Sequence, residues 1–380
     1  MKWQNKGQEF DALGEKLREM RAVYLFGAGL DGQAVFNLFS SKVLIKAFVD
    51  NSTKKQSEGL LGLPVLAPQS VLLGDDEAII ITAATFSIER IFEQLEGLGF
   101  SRGKDVFSMY HFFPLWSMYV RDEVSIWAVS FLPSTVCNLK CKHCLNFTTH
   151  IQQHEVRHLE TLLRDVDLFF RRVDSILIFH VSGGEPLLYP KLAELLDYIH
   201  VNYANRIGRI ETSTNGTVVP SDDLCRKLRE CSISVIVDDY RASVPQYVSQ
   251  FAELIEKFET FDVSHTVNQV DTWIDLAPFD VDNSCLTDEG LQNYFNSCWV
   301  MRKEYRNGKL YLCNYASYAS FAGITLIEQE CFDFEAMLPN ERKALLEFSL
   351  GYSDKGYTEF CKRCAGYHNN NRLIPVAVQA

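Results

Sequence analysis

Cys137, Cys141 and Cys144 stand at a C-x3-C-x2-C spacing in the stretch Val136-Cys-Asn-Leu-Lys-Cys-Lys-His-Cys144. Iron–sulfur clusters are normally held by four cysteines. A loop that supplies three thiolates to a four-iron cluster leaves one iron open to a reactant. A structural zinc site would instead pair one CxxC with a second, or with a His-x3-5-His segment. A further set lies downstream: Cys298, then Gly308-Lys-Leu-Tyr-Leu-Cys313, then Cys361-Lys-Arg-Cys364. Four thiolates make a complete ligand set, which by its count suits either a closed iron–sulfur cluster or a structural zinc.

The three-cysteine loop followed by Gly183-Gly-Glu-Pro186 resembles the radical S-adenosylmethionine (SAM) enzymes. The resemblance implies a catalytic [4Fe–4S] cluster on Cys137, Cys141 and Cys144, whose open iron chelates the methionine part of SAM. One electron then splits the sulfonium and gives a 5′-deoxyadenosyl radical that abstracts hydrogen from substrate. It places His143, where the family usually has an aromatic residue, near the adenine. It places Gly183, Gly184 and Glu185 at the methionine amine, and Ser213 and Asn215 of Glu211-Thr-Ser-Thr-Asn-Gly216 at the ribose. Read from the residues alone, His143 shapes its loop and Asn215-Gly216 is a turn dipeptide. The downstream spacing resembles the twitch domain, a shortened SPASM domain, and so implies an auxiliary [4Fe–4S] cluster on Cys298, Cys313, Cys361 and Cys364. A reductant such as flavodoxin or ferredoxin is implied as a partner.

Composition sets the frame. The chain has 380 residues, 47% hydrophobic and 23% charged, enough for two or three domains and too apolar for extended disorder. A net charge of −12 argues against a general nucleic-acid binder, which needs excess Lys and Arg. No apolar run reaches the ~18 residues of a membrane span, and the first residues show no signal core. Eleven cysteines without a secretion signal point to metal or redox chemistry in a reducing compartment, the cytoplasm.

The elements that must position these residues read as α/β throughout. Over residues 1–120, strands at Ala22–Phe26, Val43–Asp50 and Glu77–Thr82 alternate with helices at Gln33–Phe39 and Ser87–Leu98. Gly27, Gly29 and Gly32 form a GxGxxG at the end of the first strand, and Asp50 follows the second. This pattern fits a Rossmann-like nucleotide-binding fold, with Asp50 on a ribose hydroxyl. Phe48-Val-Asp-Asn51 with Gly62-Leu-Pro-Val65 resembles domains attached to sugar-modifying enzymes, some of which hold a nucleotide-sugar. Without a ligand the domain would serve for docking. The aromatic stretch from Val106 to Tyr119 bridges to the next unit.

Residues 121–284 alternate again. Strands are expected at Ser125–Ser130, Ser175–Val181, Arg209–Thr214, Ser232–Val237 and Val263–Val270, with helices at Glu155–Val173, Pro190–Val201, Ser221–Glu230 and Val244–Phe258. Such βα units imply a parallel sheet, which in the family curls into a partial (β/α) barrel with its chemistry at the strands' C-terminal ends. Asp238 and Arg241 close the fourth strand and are candidate catalytic groups for binding substrate or moving a proton. His150, His154 and His158 would share one helix face. Residues 285–380 read as the irregular, twitch-like cluster-binding segment. Cys225, Cys231, Cys285 and Cys331 are expected in the core, the last two as outside candidates for ligands.

The reading that follows is a radical SAM enzyme acting on a carbohydrate or nucleotide-sugar, oxidising or epimerising a hydroxyl-bearing carbon. A peptide-modifying enzyme is the alternative, and a non-catalytic cluster protein the third possibility.

Overall fold

The computed structural model describes residue 2 and residues 6–298, 302–327, 330–368 and 370–380. After α1 (Lys6–Glu19), five strands form one parallel sheet: β1 (Ala22–Phe26), β2 (Leu44–Val49), β3 (Val65–Leu66), β4 (Glu77–Ile81) and β5 (Val106–Ser108), in the order β3-β2-β1-β4-β5. Helices α2 (Leu30–Phe39), α3 (Thr53–Glu58) and α4 (Thr85–Gly97) connect them. Strand order reverses between β1 and β4, the kind of position where open α/β sheets take ligands. β1 is buried along its whole length, as a strand covered on both faces must be, and its sequence is accordingly apolar without alternation.

The aromatic bridge is itself a core element. α5 (Met109–Arg121) has nine buried residues despite Pro114 in its interior. Phe113 stacks on Phe39 of α2 with ring centroids 4.2 Å apart, and one continuous apolar core runs from β1 through α5 into the second sheet.

That second sheet contains β6 (Ser125–Phe131), β7 (Ser175–Val181), β8 (Ile207–Thr214), β9 (Ser234–Asp239) and β10 (His265–Gln269), separated by α6 (Leu159–Arg172), α7 (Leu192–Tyr203), α8 (Asp222–Glu230) and α9 (Val248–Thr260). The five strands are parallel neighbours in sequence order. α6 turns Leu162, Val166, Phe169 and Phe170 inward, a spacing of one helix face. The downstream segment holds β11 (Thr272–Ile274), α10 (Asp288–Ser297), β12 (Lys303–Arg306), β13 (Lys309–Tyr311), α11 (Asn314–Phe321), β14 (Cys331–Asp333), α12 (Arg342–Ser349) and β15 (Leu373–Pro375). Although it reads as irregular, it adds three strands to the same sheet: β12 lies parallel to β6, then β13 and β14 follow antiparallel. β11 and β15 pair separately.

The helix expected from Glu155 begins instead at Leu159, with His158 as its N-terminal flanking residue. Residues 151–158 form a loop pinned to the start of the cysteine loop: Thr135 donates its N–H to the Glu155 carbonyl (2.9 Å), and Glu155 donates to Thr135 Oγ1 (2.8 Å). His150 ends a short 3-10 turn. The shared helical face of His150, His154 and His158 therefore does not exist.

Register places four buried polar residues in one row across the barrel interior. Glu304 of β12 pairs with Ser130 of β6, Ser130 with His180 of β7, and His180 with Glu211 of β8. Arg302 donates to His180 Nδ1 and to Glu211 (2.9 Å). His180 is thus an acceptor at Nδ1, which leaves Nε2–H to face Ser213 Oγ at 3.2 Å. Arg209 binds Glu211 (3.0 Å) and reaches Asp31 of α2 (3.0 Å), so the row is tied to the first unit. Close contact there depends on Gly208, where a Cβ would lie 2.7 Å from the Ala34 carbonyl and 2.8 Å from that of Leu177.

Two outcomes follow. Burial, then the charges of Arg302 and Arg209, holds the His180 imidazole down at about 3. Unfolded His titrates near 6.5, so the unfolded chain takes the proton first. Stability from the neutral ring is complete above about pH 6.5 and drains as pH falls, by up to about 1.4 kcal/mol per pH unit. Burial alone would raise Glu211, but Arg302, His180 and Arg209 outweigh it and hold the carboxyl at about 2; its contribution fades only below about pH 4.3. Urea midpoints of metal-free His180→Gln should therefore fall less steeply than wild type between about pH 6.5 and pH 4.5. Equal slopes would remove His180 as the source. Separately, Gly208→Val should cost about 1–3 kcal/mol by overpacking, read as a lower apparent Tm, and an unchanged Tm would mean that α2 does not sit this close.

Candidate functional site

The three-cysteine loop leaves the C-terminal end of β6, and the Gly-Gly-Glu-Pro turn leaves the neighbouring β7. They are locked by backbone hydrogen bonds: Gly184 N–H to the Ser134 carbonyl (3.1 Å) and Glu185 N–H to the Val136 carbonyl (2.8 Å). A Cβ on Gly184 would sit 2.3 Å from the Val136 oxygen, so only glycine lets the strands' ends come this close. The loop is also held from the far end of the sequence. Lys142 donates to the Val378 carbonyl (2.8 Å), Ala380 to the Lys140 carbonyl (2.7 Å), and the Gln379 amide reaches Cys141 Sγ at 3.4 Å. Nothing in the sequence pattern signals this clamp.

Cys137, Cys141 and Cys144 line one cavity of about 510 Å³, together with Gly183, Gly184, Glu185, Ser213 and Asn215. Five further sequence candidates thus meet the cysteines at one rim. Asn215 donates its N–H to Glu185 Oε2 (2.8 Å) and its amide to Asn138 (3.0 Å). Glu185 accepts a second N–H, from Leu187 (3.0 Å). Burial nevertheless pushes its carboxyl up to about 7. The carboxylate is turned onto backbone and so fixes the turn. Asp238 lies on the same cavity wall, held by the Asn268 amide (2.8 Å) and the Tyr240 hydroxyl (3.1 Å).

Two candidates lie outside that wall. Arg241 pairs with Asp239 (2.7 Å), the outward neighbour of Asp238, and rests over the Phe251 ring at 4.3 Å. Strand alternation sends Asp238 inward and Asp239 outward, so Asp238 and Arg241 are not brought together. His143 faces Asp275 (3.6 Å) and is 42% exposed.

The second cysteine set converges as well. Cys298 follows α10, Cys313 precedes α11, Cys361 lies within a 3-10 turn (Glu359–Arg363) and Cys364 ends it. All four line a cavity of about 250 Å³. Donors already point at the sulfurs: Tyr367 N–H to Cys298 (3.3 Å), Gly366 N–H to Cys364 (3.3 Å), with the Thr358 hydroxyl 3.4 Å from Cys361. Cys285 and Cys331 line neither cysteine cavity, and Cys225 and Cys231 are buried core. Tyr367 belongs to both cavity walls and so stands between them.

Fit to metal can be judged from the thiols. Burial pushes Cys137 up to about 12 and Cys141 to about 11, and in the second set Cys313 to about 12 and Cys361 to about 11. Such groups ionise only against a cationic centre. Among the described residues no three His, Cys, Asp or Glu side chains are arranged to hold a single metal ion. Three thiols line one cavity and four the other, the counts that a cluster with an open corner and a fully ligated cluster would need.

In the first unit Gly27 has φ +126°, and a Cβ on Gly32 would meet the Gly27 carbonyl at 2.0 Å, so both glycines serve the tight turn. Gly29 has open space around it. Asp50 is engaged within its own unit: it accepts from Ala28 N–H (3.0 Å), Ser52 N–H (2.9 Å) and the Lys55 ammonium (2.9 Å). Among the described residues no helix is long and apolar enough to cross a membrane.

Residues 131–261 match the Radical SAM superfamily. Over 88 residues the chain is 28% identical to the antilisterial bacteriocin subtilosin biosynthesis protein AlbA of Bacillus subtilis (strain 168), covering 23% of this chain and 18% of that protein. The chain therefore matches less than a fifth of that curated relative. Among solved structures, native anSMEcpe with bound AdoMet aligns at 17% identity and TM-score 0.39, over 60% of this chain and 82% of that one. BtrN in complex with AdoMet and 2-DOIA aligns at 14% and 0.36, over 66% and 99%. SuiB of Streptococcus suis bound to the precursor peptide SuiA aligns at 14% and 0.34, over 75% and 84%. The matched segment begins at the last residue of β6 and contains the whole cysteine loop and the turn that locks it, so residues 131–261 of this chain are a Radical SAM superfamily domain.

Proposed function

We propose that the chain is a radical SAM oxidoreductase of the cytoplasm that removes hydrogen from a hydroxyl-bearing carbon of a carbohydrate or nucleotide-sugar. The observation that carries this reading is the cavity wall beside the cysteine loop: His180, Ser182, Ser213, Asn215, Asp238 and Asn268 all line it. So dense a set of hydrogen-bonding groups suits a polyhydroxylated ligand, whose hydroxyls can both donate to and accept from side chains that now pair with one another. Cys137, Cys141 and Cys144 would hold three corners of the catalytic cluster, and Cys298, Cys313, Cys361 and Cys364 would hold the auxiliary one. When bound, the first with SAM supplies a hydrogen-abstracting radical, and the second an acceptor for one electron. The backbone of Gly183 and Gly184 would receive the methionine amine, and Ser213 and Asn215 the ribose. Asp238, fixed by Asn268 and Tyr240, would accept the hydroxyl proton. Loss of a hydrogen atom, a proton and an electron from a carbinol leaves a ketone; return of a hydrogen atom instead gives epimerisation.

The first unit would dock the barrel through Asp31 and offer its Gly29 turn to the nucleotide. Asp50, already engaged by Lys55 and two backbone N–H groups, would support that turn and reach a ribose only by releasing one of them. The similarity to a bacteriocin biosynthesis protein favours a second reading, a peptide substrate.

Anaerobic reconstitution should give about eight irons per chain, two four-iron clusters. The combined Cys137→Ala, Cys141→Ala and Cys144→Ala variant should keep about half of that iron and produce no 5′-deoxyadenosine. A variant left with no iron would remove the auxiliary cluster from the scheme. With wild type and dithionite, deuterium should pass into 5′-deoxyadenosine from a carbon-labelled nucleotide-sugar panel. Transfer only from labelled peptides would select the second reading instead.

A further inference from the structure

The cavity ringed by Cys298, Cys313, Cys361 and Cys364 contains a cation that the ligand set does not explain. Lys303, the first residue of β12, is 4% exposed and lines that cavity. Its register opposite Val129 of β6 fixes the backbone, and the side chain is packed away from solvent. Cys298 and Cys313 line the same cavity, and their charge, once ionised, would favour the ammonium. Among the described residues the cavity wall has no Asp, Glu or Arg, and Lys303 forms no salt bridge. A buried ammonium with no carboxylate is costly, a cost that negative charge arriving beside it would offset. Four thiolates around an iron–sulfur cluster carry a net negative charge, which deepens when the cluster is reduced. A fixed positive charge at its edge stabilises the reduced form more than the oxidised one. Net charge and hydrogen bonds to sulfur are established levers on cluster potential. The Tyr367 and Gly366 N–H groups and the Thr358 hydroxyl act in the same direction.

We infer that Lys303 is a built-in counter-charge for the auxiliary cluster, raising its reduction potential so that this site accepts an electron. The inference rests on the auxiliary-cluster reading proposed above.

The test uses the full chain carrying Cys137→Ala, Cys141→Ala and Cys144→Ala, so that only the second cysteine set can hold iron. Potentiometric titration followed by electron paramagnetic resonance gives the midpoint in this background and after adding Lys303→Met, Lys303→Gln or Lys303→Arg. Both neutral variants should disfavour reduction at least tenfold, a fall of ~59 mV for one electron, while Lys303→Arg stays within that interval of the parent. Iron lost from both neutral variants but kept by Lys303→Arg would show the same dependence on charge at assembly. Equal midpoints for parent and neutral variants would overturn the inference, as would a fall for Lys303→Arg as large as for Lys303→Met. A parent that binds zinc and no iron would overturn the auxiliary cluster itself, an outcome that iron and sulfide analysis separates from the others.

Discussion

Everything at the rim of the three-cysteine loop depends on how closely Gly184 passes under the Val136 carbonyl. With 2.3 Å between that oxygen and the position a Cβ would occupy, any larger residue must push the turn away from the cysteine loop. The two backbone hydrogen bonds that join them would then be lost, and Cys137, one residue beyond Val136, would move with its loop. Glu185 reinforces the lock by accepting the N–H groups of Leu187 and Asn215, which brings the end of β8 into the same frame. The rim is therefore organised by backbone, with side chains left to face the cavity.

Beneath it, the polar row from Glu304 to Glu211 and the Arg209–Asp31 pair connect the barrel interior to α2. Ion pairs so deeply buried stabilise little beyond their own desolvation. Their effect is to fix one arrangement of strands, because each partner is costly to leave alone. The apolar core through α5 contributes the larger share of cohesion, as Phe39, Phe113 and Trp116 pack where the two sheets meet.

Much of this was legible in the sequence, for reasons that are local. The cysteine spacings, the Gly-Gly-Glu-Pro turn and the alternation of strands and helices are short-range patterns, and the structure gathers Cys137, Cys141, Cys144, Gly183, Gly184, Glu185, Ser213, Asn215 and Asp238 around one cavity. What escaped depends on register and long-range contact. His180 and Lys303 look like ordinary strand residues until pairing shows what they face. Arg241 reads as a rim cation, yet strand alternation gives its neighbour Asp239 the outward position and the charge to hold it. The spacing of His150, His154 and His158 suggested a helix, but hydrogen bonds between Thr135 and Glu155 keep that stretch extended. Asp50 follows its strand at the distance a ribose ligand would, yet Ala28, Ser52 and Lys55 reach it first.

The clamp formed by residues 378–380 has a temporal side. Gln379 and Cys141 are separated by 238 positions, and ribosomes add roughly 5–20 residues per second. The three-cysteine loop therefore emerges some tens of seconds before the segment that pairs with it. Until then Cys141 lacks its contact with the Gln379 amide, and Lys142 lacks its carbonyl partner at Val378.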